Sequence, residues 1–376
     1  MLGSSNSLAS VLILTTGFWL VLYLILYRHS EYLRKRGIEI FPLGLFYRTS
    51  KLNHLMYKIA SKHEKLWHIV FDVASIMGFI LMGFIVYFLH VNLYSFIYRP
   101  SKAQEMILLI PGVTIGWPLL PYLVLSIVIA FVVHEIAHGI AAASEKVPII
   151  SSGFAVILFL VAGFVEVDEN KLKVLSLRSK TRILSAGSFA NLVIALVALL
   201  LLSVVLWYQK PCGVYVIRTI KGYPAEGVIM PGDVIVKINN VKISTITDLS
   251  RVLSKYKPGD KIVVTLLRDG LIKNVSIILG HRGDKAFMGI EITQYYLNPM
   301  PIEIPLALEW IFTVNASVAA LNMLPIVVFD GDRIIGSLLE KYVKSYVHKR
   351  ALRLILSIYF LALLGANIVL SMGRLL

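Results

Sequence analysis

The stretch Phe131-Val-Val-His134-Glu135-Ile-Ala-His138-Gly-Ile-Ala-Ala-Ala143 decides how this chain is organised. Residues four apart on an α-helix are rotated by about 400°, so His134 and His138 lie one turn apart on one face and could hold one metal ion. Glu135 points to a neighbouring face, close enough to take a proton from a metal-bound water without being a ligand. Between 121 and 143 these three are the only acidic, basic or histidine side chains, within an apolar run long enough to cross a bilayer. The pattern predicts a metal site inside a membrane helix.

The composition predicts an integral membrane protein. Of 376 residues, 57% are apolar, and the mean hydropathy of +0.77 is well above that of soluble proteins. The net charge of +15 could indicate nucleic acid, but the basic residues cluster beside the apolar runs, as in loops that face anionic lipid. We therefore expect the bilayer as a partner and no nucleic acid. The single cysteine, Cys212, excludes an internal disulfide and a Cys-rich zinc site.

Six apolar runs predict six transmembrane helices. They lie near 8–27, 68–94, 120–143 and 183–208, from 304 into the segment 322–332, and near 351–371. No Lys or Arg precedes the first run, so we expect a retained helix rather than a cleaved signal peptide. Residues 28–66 carry nine Lys or Arg against three acids. The positive-inside rule then places this segment in the cytoplasm and the N-terminus outside.

The apolar segment 148–167 differs from the helical runs. It is rich in β-branched and aromatic residues, and Gly153 and Gly163 divide it, which favours short strands that dip into the membrane. Strands at that depth need backbone partners, either each other or a bound extended peptide.

After Pro211 the composition changes to that of a soluble domain. A strand-like segment, Gly213–Ile220, precedes the turn Pro231-Gly232-Asp233, an amphipathic helix near Ile246–Tyr256 and two strands joined at Arg268-Asp269-Gly270. This order resembles a PDZ domain of the kind found in proteases, over about 70 residues. The predicted topology places the domain outside the cytoplasm.

The expected fold is thus a polytopic α-helical membrane protein with six transmembrane helices and an inserted extracytoplasmic α+β PDZ domain. The predicted divisions are a first span and basic loop (1–66), a first membrane core part (67–210), the PDZ domain (211–282), a linker with strand character (283–303) and a second core part (304–376).

Two histidines leave a catalytic zinc ion short of protein ligands, since such sites usually have three. Asp330 is the best candidate for the third, because it ends an apolar span at about the same predicted depth as the histidines. Pro325 removes a backbone donor and bends or ends the helix, and Gly331 permits a close approach of the backbone to a metal or substrate. The alternative is that Asp330 caps a helix end.

Three motifs follow one another on successive spans, and the PDZ-like segment separates the last two. They are His134-Glu135-x-x-His138, Gly187-x-x-x-Asn191 and Asn322-x-x-Pro325-x-x-x-x-Asp330-Gly331. Together they resemble the site-2 protease family of intramembrane zinc metalloproteases over most of residues 120–335. The first motif alone is a weak pattern, whereas the ordered set is specific.

This resemblance implies one Zn²⁺ per chain, held by His134, His138 and Asp330. It also implies that Glu135 is the catalytic residue that activates water. Asn191 and Asn322 are expected in substrate binding or transition-state support. From the residues alone, Gly187-x-x-x-Asn191 could instead be a small-residue packing face.

The function implied is hydrolysis of peptide bonds within or near the transmembrane helix of a single-span substrate, in regulated intramembrane proteolysis. The active site is expected in the cytoplasmic half of the bilayer, and the PDZ domain could filter substrates or hold a peptide terminus. Two alternatives remain: a catalytically silent PDZ-containing adaptor, or a metal or proton transporter with His134 and His138 in its path. Asp332 is expected to be solvated or interfacial.

Overall fold

The computed structural model describes residues 2–110, 114–158, 160–283 and 285–375, and the chain divides into two compact units. We name Met1–Leu200 with Leu306–Leu376 the helical unit, and Leu201–Pro305 the inserted unit. The helices are α1 (Leu2–Tyr27), α2 (Ser30–Lys35), α3 (Ser50–Lys62), α4 (Glu64–Tyr98), α5 (Leu120–Ser144), α6 (Glu169–Val174), α7 (Leu177–Tyr208), α8 (Ile246–Leu253), α9 (Glu303–Leu321), α10 (Asp330–Tyr342) and α11 (Tyr346–Leu375). Short 3₁₀ turns occupy Pro100–Lys102 and Trp117–Leu119.

The strands form three antiparallel groups. They are β1 (Ile38–Phe41), β2 (Gly44–Arg48), β3 (Ile149–Ile157), β4 (Leu160–Val167), β5 (Pro211–Thr219), β6 (Val234–Ile238), β7 (Val241–Lys242), β8 (Lys261–Arg268), β9 (Leu271–Ile278), β10 (Gly280–Arg282), β11 (Lys285–Phe287) and β12 (Ile290–Tyr296). The first group is a sheet in the order β1-β2-β3-β4, the second pairs β10 with β11, and the third has the order β12-β5-β6-β8-β9 with β7 on β6.

Five helices among the described residues are long and apolar enough to cross a membrane. They are Glu64–Tyr98, Trp117–Ser144, Leu177–Tyr208, Glu303–Leu321 and Tyr346–Gly373. These match the second to sixth predicted spans. The first predicted span lies on α1, whose described apolar part, Thr15–Tyr27, is shorter than a span. The chain is a multi-pass membrane protein, and the count of six spans stays a prediction.

The fifth span ends earlier than the sequence predicted. Helix α9 stops at Leu321, so the segment 322–329 is a run of turns and bends and α10 starts at Asp330. Pro325 cannot donate a helical hydrogen bond, which agrees with the break. Gly331 donates its N–H to the Asn322 carbonyl at 2.9 Å, and a Cβ at Gly331 would overlap the carbonyl oxygen of Met323. Gly331 thus packs against the turn that precedes it, at the point where Asp330 starts its helix. The predicted approach of its backbone to a metal or substrate stays a prediction.

The strands predicted in 148–167 are confirmed as β3 and β4. Their sheet continues into the basic segment 28–66, to which the sequence assigned no structural role. Strand β2 pairs antiparallel with β3, with Arg48 opposite Gly153. Helix α3 from the same segment buries Met56 and Ala60 against Ile140, Ala141 and Ala142 of α5. The basic segment is therefore part of the helical unit's core.

The inserted unit is a sheet with one helix over it. Alternate strand residues, among them Val214, Val216, Ile262, Val264 and Leu266, are fully buried in one apolar core. Thr245 caps α8 in a reciprocal capping box with Asp248. The predicted linker contributes to this sheet, because β12 pairs antiparallel with β5.

Candidate metal centre

Three separate parts of the helical unit bring their polar side chains to one place. Helix α5 supplies His134, Glu135 and His138, and α7 supplies the Gly187 turn with Asn191. The turn after α9 and the first residue of α10 supply Asn322 and Asp330. Apart from Glu135, the polar residues of the three motifs make hydrogen bonds or short contacts with one another here. Their side chains surround a point enclosed by apolar helices.

The three predicted ligand residues converge. Asp330 Oδ2 lies 3.1 Å from His134 Nε2 and 3.2 Å from His138 Nε2, and the two Nε2 atoms are 3.0 Å apart. Two ligand atoms bound to one tetrahedral zinc ion lie about 3.3 Å apart. The set of two imidazoles and one carboxylate is that of catalytic zinc sites, so these residues fit the metal that the sequence implied. The carboxylate of Asp330 faces the histidines, which favours a ligand over a helix cap.

Each histidine is oriented by a partner on α7. His138 Nδ1 donates to the Ile183 carbonyl at 2.7 Å, which leaves the Nε2 lone pair for a metal. His134 Nδ1 lies 3.1 Å from Asn191 Nδ2, and Asn191 is fully buried. A neutral His134 that binds metal through Nε2 carries its proton on Nδ1, and the Asn191 amide turned by 180° would present its oxygen to accept that proton. Asn191 Oδ1 has no hydrogen-bond partner in the described part of the chain, so the turn breaks no bond of the oxygen.

Gly187 determines how closely α7 can approach the histidines. A Cβ at this position would lie 2.5 Å from both His134 Cε1 and His138 Nε2. Atoms that are not bonded do not approach so closely, so a side chain at Gly187 would displace the imidazoles. The Gly187-x-x-x-Asn191 motif therefore combines close packing with a polar contact four residues later.

Glu135 is close to the centre but is not one of the converging ligands. Its Oε2 accepts a hydrogen bond from the Val165 N–H of β4 at 3.1 Å. The strand passes close to α5 at Gly163, where a Cβ would lie in ordinary contact with Glu135 Cγ at 3.6 Å. A cavity of about 350 Å³ opens beside these atoms, and its walls include the three ligand candidates, Glu135, Val165 and Asn322.

The two asparagines occupy different positions. Asn322 Nδ2 lies 3.3 Å from His134 Nε2 and its side chain lines the cavity. Asn191 lies behind His134, on the Nδ1 side, and is not among the residues that line the cavity. Asn322 therefore lies at the cavity wall, whereas Asn191 lies behind a candidate ligand.

The expectation for Asp332 is wrong. Its side chain is buried, with 3% of the residue exposed, and it forms a bidentate ion pair with Arg353 of α11 through Nε and Nη2. The sequence could not reveal this pair, because Arg353 is 21 residues away on another helix, within the predicted sixth span, whereas Asp332 borders a charged stretch typical of a solvated loop.

The comparisons with known proteins agree with this site. Residues 122–366 match the model of peptidase family M50. The chain belongs to peptidase family M50. Members of this family are generally zinc metalloproteases, and the site-2 protease resemblance of the sequence motifs is confirmed.

Two relatives of this M50 peptidase show how much of the chain is shared with other proteins. It is 28% identical over 331 residues to the uncharacterized protein MJ0971 of Methanocaldococcus jannaschii, covering 85% of this chain and 83% of the relative. It is 24% identical over 220 residues to a membrane-bound transcription factor site-2 protease homolog of Arabidopsis thaliana, covering 55% of this chain and 42% of that protein.

Two solved structures resemble a smaller part of the chain. One is the PDZ domain of an SdrC-like protein from Listeria monocytogenes, with 23% identity and a TM-score of 0.20, covering 22% of this chain and 87% of that one. The other is the corresponding domain from Listeria innocua, with 22% identity and a TM-score of 0.21, covering 22% and 96%.

Proposed function

We propose that this M50 peptidase is an intramembrane zinc metalloendopeptidase that cleaves peptide bonds within or near the transmembrane helix of single-span membrane proteins. The observation that carries the proposal is the convergence of His134, His138 and Asp330 within 3.2 Å of one another, with Glu135 beside them and apolar spanning helices around them.

His134, His138 and Asp330 would hold one zinc ion, which supplies a Lewis acid that polarises the scissile carbonyl and lowers the pKa of water. Glu135 takes the proton of the attacking water and later delivers it to the leaving amine. The Val165 N–H holds the Glu135 carboxylate at the cavity wall until the substrate arrives. The amide of Asn322 donates to the carbonyl oxygen on which charge develops. Asn191 acts as a positioning residue through His134.

The test compares purified wild-type chain with the Glu135→Gln variant in a metal analysis and in a cleavage assay on a single-span substrate. We expect zinc near one per chain in both, and about 10²–10⁴-fold slower cleavage in the variant, because the amide cannot take the proton. Glu309→Gln is the matched control, since Glu309 is exposed on α9. Undiminished cleavage by Glu135→Gln would overturn the proposal. A wild-type chain that holds zinc but cleaves nothing would favour the adaptor or the transporter.

A helical substrate must unwind before its carbonyls can be attacked, since they are already hydrogen-bonded and covered by side chains. The outer edge of β4 has no strand partner in the described sheet, so an unwound peptide could pair there near Val165. Helix-stabilising Leu residues at the substrate's cleavage region should therefore slow the reaction. Equal cleavage rates for the Leu-substituted and the unsubstituted substrate would remove the unwinding step from the proposal.

The inserted unit is proposed to dock a peptide terminus. A groove of about 590 Å³ runs between α8 and the β11–β12 region, with Ile246, Leu249 and Ile292 on its walls and Lys285 among its polar residues. Apolar pockets with a cation suit a C-terminal carboxylate. Ile246→Lys should weaken binding of a fluorescent substrate-tail peptide, whereas Ile278→Lys on β9, exposed and outside the groove, should not. Equal binding of the peptide by both variants would mean that the groove does not dock a peptide terminus.

We also propose an orientation in which the N-terminus and the inserted unit lie outside and the metal centre lies in the cytoplasmic half of the bilayer. The basic segment 28–66 supports it. Protease added outside sealed cells should cut within 201–305 and spare 28–66, and the reverse pattern would invert the topology.

A further inference from the structure

A second cavity of about 480 Å³ lies between α10 and the start of α11, and it shares no lining residue with the cavity at the metal centre. Three basic side chains line it, Lys349, Arg350 and Arg353, together with Tyr346. Its remaining lining includes Val327 and Leu354. The cavity therefore combines cations with an apolar wall.

Two of the three cations of this cavity have no ion-pair partner among the described residues. The one acid in the lining, Glu340, already accepts a hydrogen bond from Lys180 Nζ at 2.8 Å. Lys349 and Arg350 form no ion pair with any residue that the structure describes. Lys349 and Arg350 thus face the cavity without an ion-pair partner, and such charges attract an anion.

Arg353 is held in a fixed position at the cavity wall. Its Nε lies 3.1 Å from Asp332 Oδ1, its Nη2 contacts Asp332 Oδ2, and Asp332 is buried. A Cβ on Gly336 would lie 3.1 Å from Arg353 Cζ, so the absence of a side chain there leaves room for the guanidinium. The Asp332 pair uses Nε and Nη2, which leaves Nη1 uncommitted to it and able to donate to a phosphate oxygen.

The position of the cavity on a spanning helix indicates which anion it takes. Tyr346, Arg350 and Arg353 recur at helical spacing over the first turns of α11, at the end of the candidate span Tyr346–Gly373. Tyr, Lys and Arg at a span's end lie at the depth of lipid head groups. Farther along α11, Ile355 and Ile358 are 62% and 59% exposed, as required of a surface that meets acyl chains.

We propose that this cavity binds the phosphate of an anionic phospholipid, with Lys349, Arg350 and Nη1 of Arg353 as its donors. Basic pockets between membrane helices hold such head groups, and each Lys or Arg near the surface strengthens binding. The lipid would rest against the same α11 that pairs with Asp332, two residues after the candidate ligand Asp330.

The experiment titrates the purified full-length chain in neutral detergent with phosphatidylglycerol or phosphatidylcholine and counts retained lipid by native mass spectrometry. The test variant is Lys349→Gln/Arg350→Gln. Its matched control is Lys341→Gln/Lys344→Gln, which removes the same charge from the same basic stretch but outside the cavity. We expect phosphatidylglycerol to bind at one saturable site and to bind roughly 30-fold more weakly to the test variant, with little change in the control.

Three outcomes would overturn the proposal. They are equal affinity for phosphatidylcholine, an equal loss of affinity in the control variant, and displacement of the lipid by millimolar inorganic phosphate, which would make the site one for free phosphate. Retained zinc and an unchanged circular dichroism spectrum check that the test variant is folded. The single variant Lys349→Arg keeps both positive charges and should therefore keep most of the binding.

Discussion

The inserted unit and the metal centre of the helical unit are built by opposite means. The inserted unit takes its core from alternating residues of consecutive strands, such as Ile262, Val264 and Leu266 of β8. The metal centre joins atoms of residues as far apart as His138 and Asp330, which are 192 positions apart. Local patterns therefore suffice for the first, whereas the second depends on how closely separate helices can approach. A mutation that disturbs the metal centre should therefore leave the core of the inserted unit intact, and the reverse.

The largest effect is expected from a single methyl group at the helix contact. In Gly187→Ala the new Cβ would overlap His134 and His138, displace their rings and abolish stoichiometric zinc binding, with cleavage lost as a result. Metal analysis of the purified chain measures this. The inserted unit should keep its protease resistance, because its core lies within 201–305.

Gly83→Ala is the control for that change. Gly83 lies on the spanning helix α4, and a Cβ there would meet no atom within 4 Å. If Gly187→Ala bound zinc as fully as Gly83→Ala, the close approach of α7 would not be what assembles the centre.

A smaller effect, confined to the inserted unit, is expected from Arg268→Ala. Arg268 holds the buried Asp233 through two contacts of 2.6 Å and also donates to the Val228 carbonyl at 3.0 Å. Removing it leaves a buried carboxylate unpaired, which costs about 3–5 kcal/mol. Faster cleavage of 201–305 by an added protease measures the loss, and zinc content should not change.

The control is Arg251→Ala, whose side chain is 67% exposed and lies 3.5 Å from Asp248, a pair worth less than about 1 kcal/mol.

The Arg268–Asp233 pair also predicts a pH dependence of the inserted unit's stability. Burial alone would raise the pKa of Asp233, but hydrogen bonds from Arg268 and the Met230 N–H outweigh it and hold that pKa below its ordinary value. The inserted unit should therefore keep this stabilisation above about pH 4 and lose it as the pH falls further. Equal acid sensitivity in Arg268→Ala would contradict it.

The smallest effect is expected behind the ligands. Asn191→Ala removes the amide that orients His134, and loss of such a partner lowers metal affinity about 10–100-fold. Competition with a zinc chelator measures it. Asn315→Ala, which deletes a buried amide on α9 bonded to Ile311, is the control and should leave the affinity unchanged. Identical affinities for both variants would reduce Asn191 to a packing residue.

Much of the site could be predicted because its chemistry is written in short motifs. His134, Glu135 and His138 share one helix, so their relative placement follows from helical geometry alone. Asp330 needed the added argument of membrane depth, and the structure places its carboxylate beside both histidines. The different positions of Asn191 and Asn322 could not be predicted, since each depends on which face of His134 a neighbouring helix meets.

The prediction was weakest where short elements pair over long separations. Strands β1 and β2 are only four and five residues long and lie among basic residues, so they carry almost no periodic pattern. The Asp332–Arg353 pair escaped notice for a related reason, since burial of a charge depends on a partner that spacing does not identify.

The pairing of β2 with β3 has a consequence for how the protein is made. The two strands lie about 100 residues apart, and two apolar helices, α4 and α5, are synthesised between them. At about 5–20 residues per second, β2 waits on the order of ten seconds with an unpaired edge before its partner exists. An open edge of this kind invites association with other chains. The Lys and Arg residues around β1 and β2 repel the same segment of other copies, so the positive charge of 28–66 also protects the unpaired edge from association.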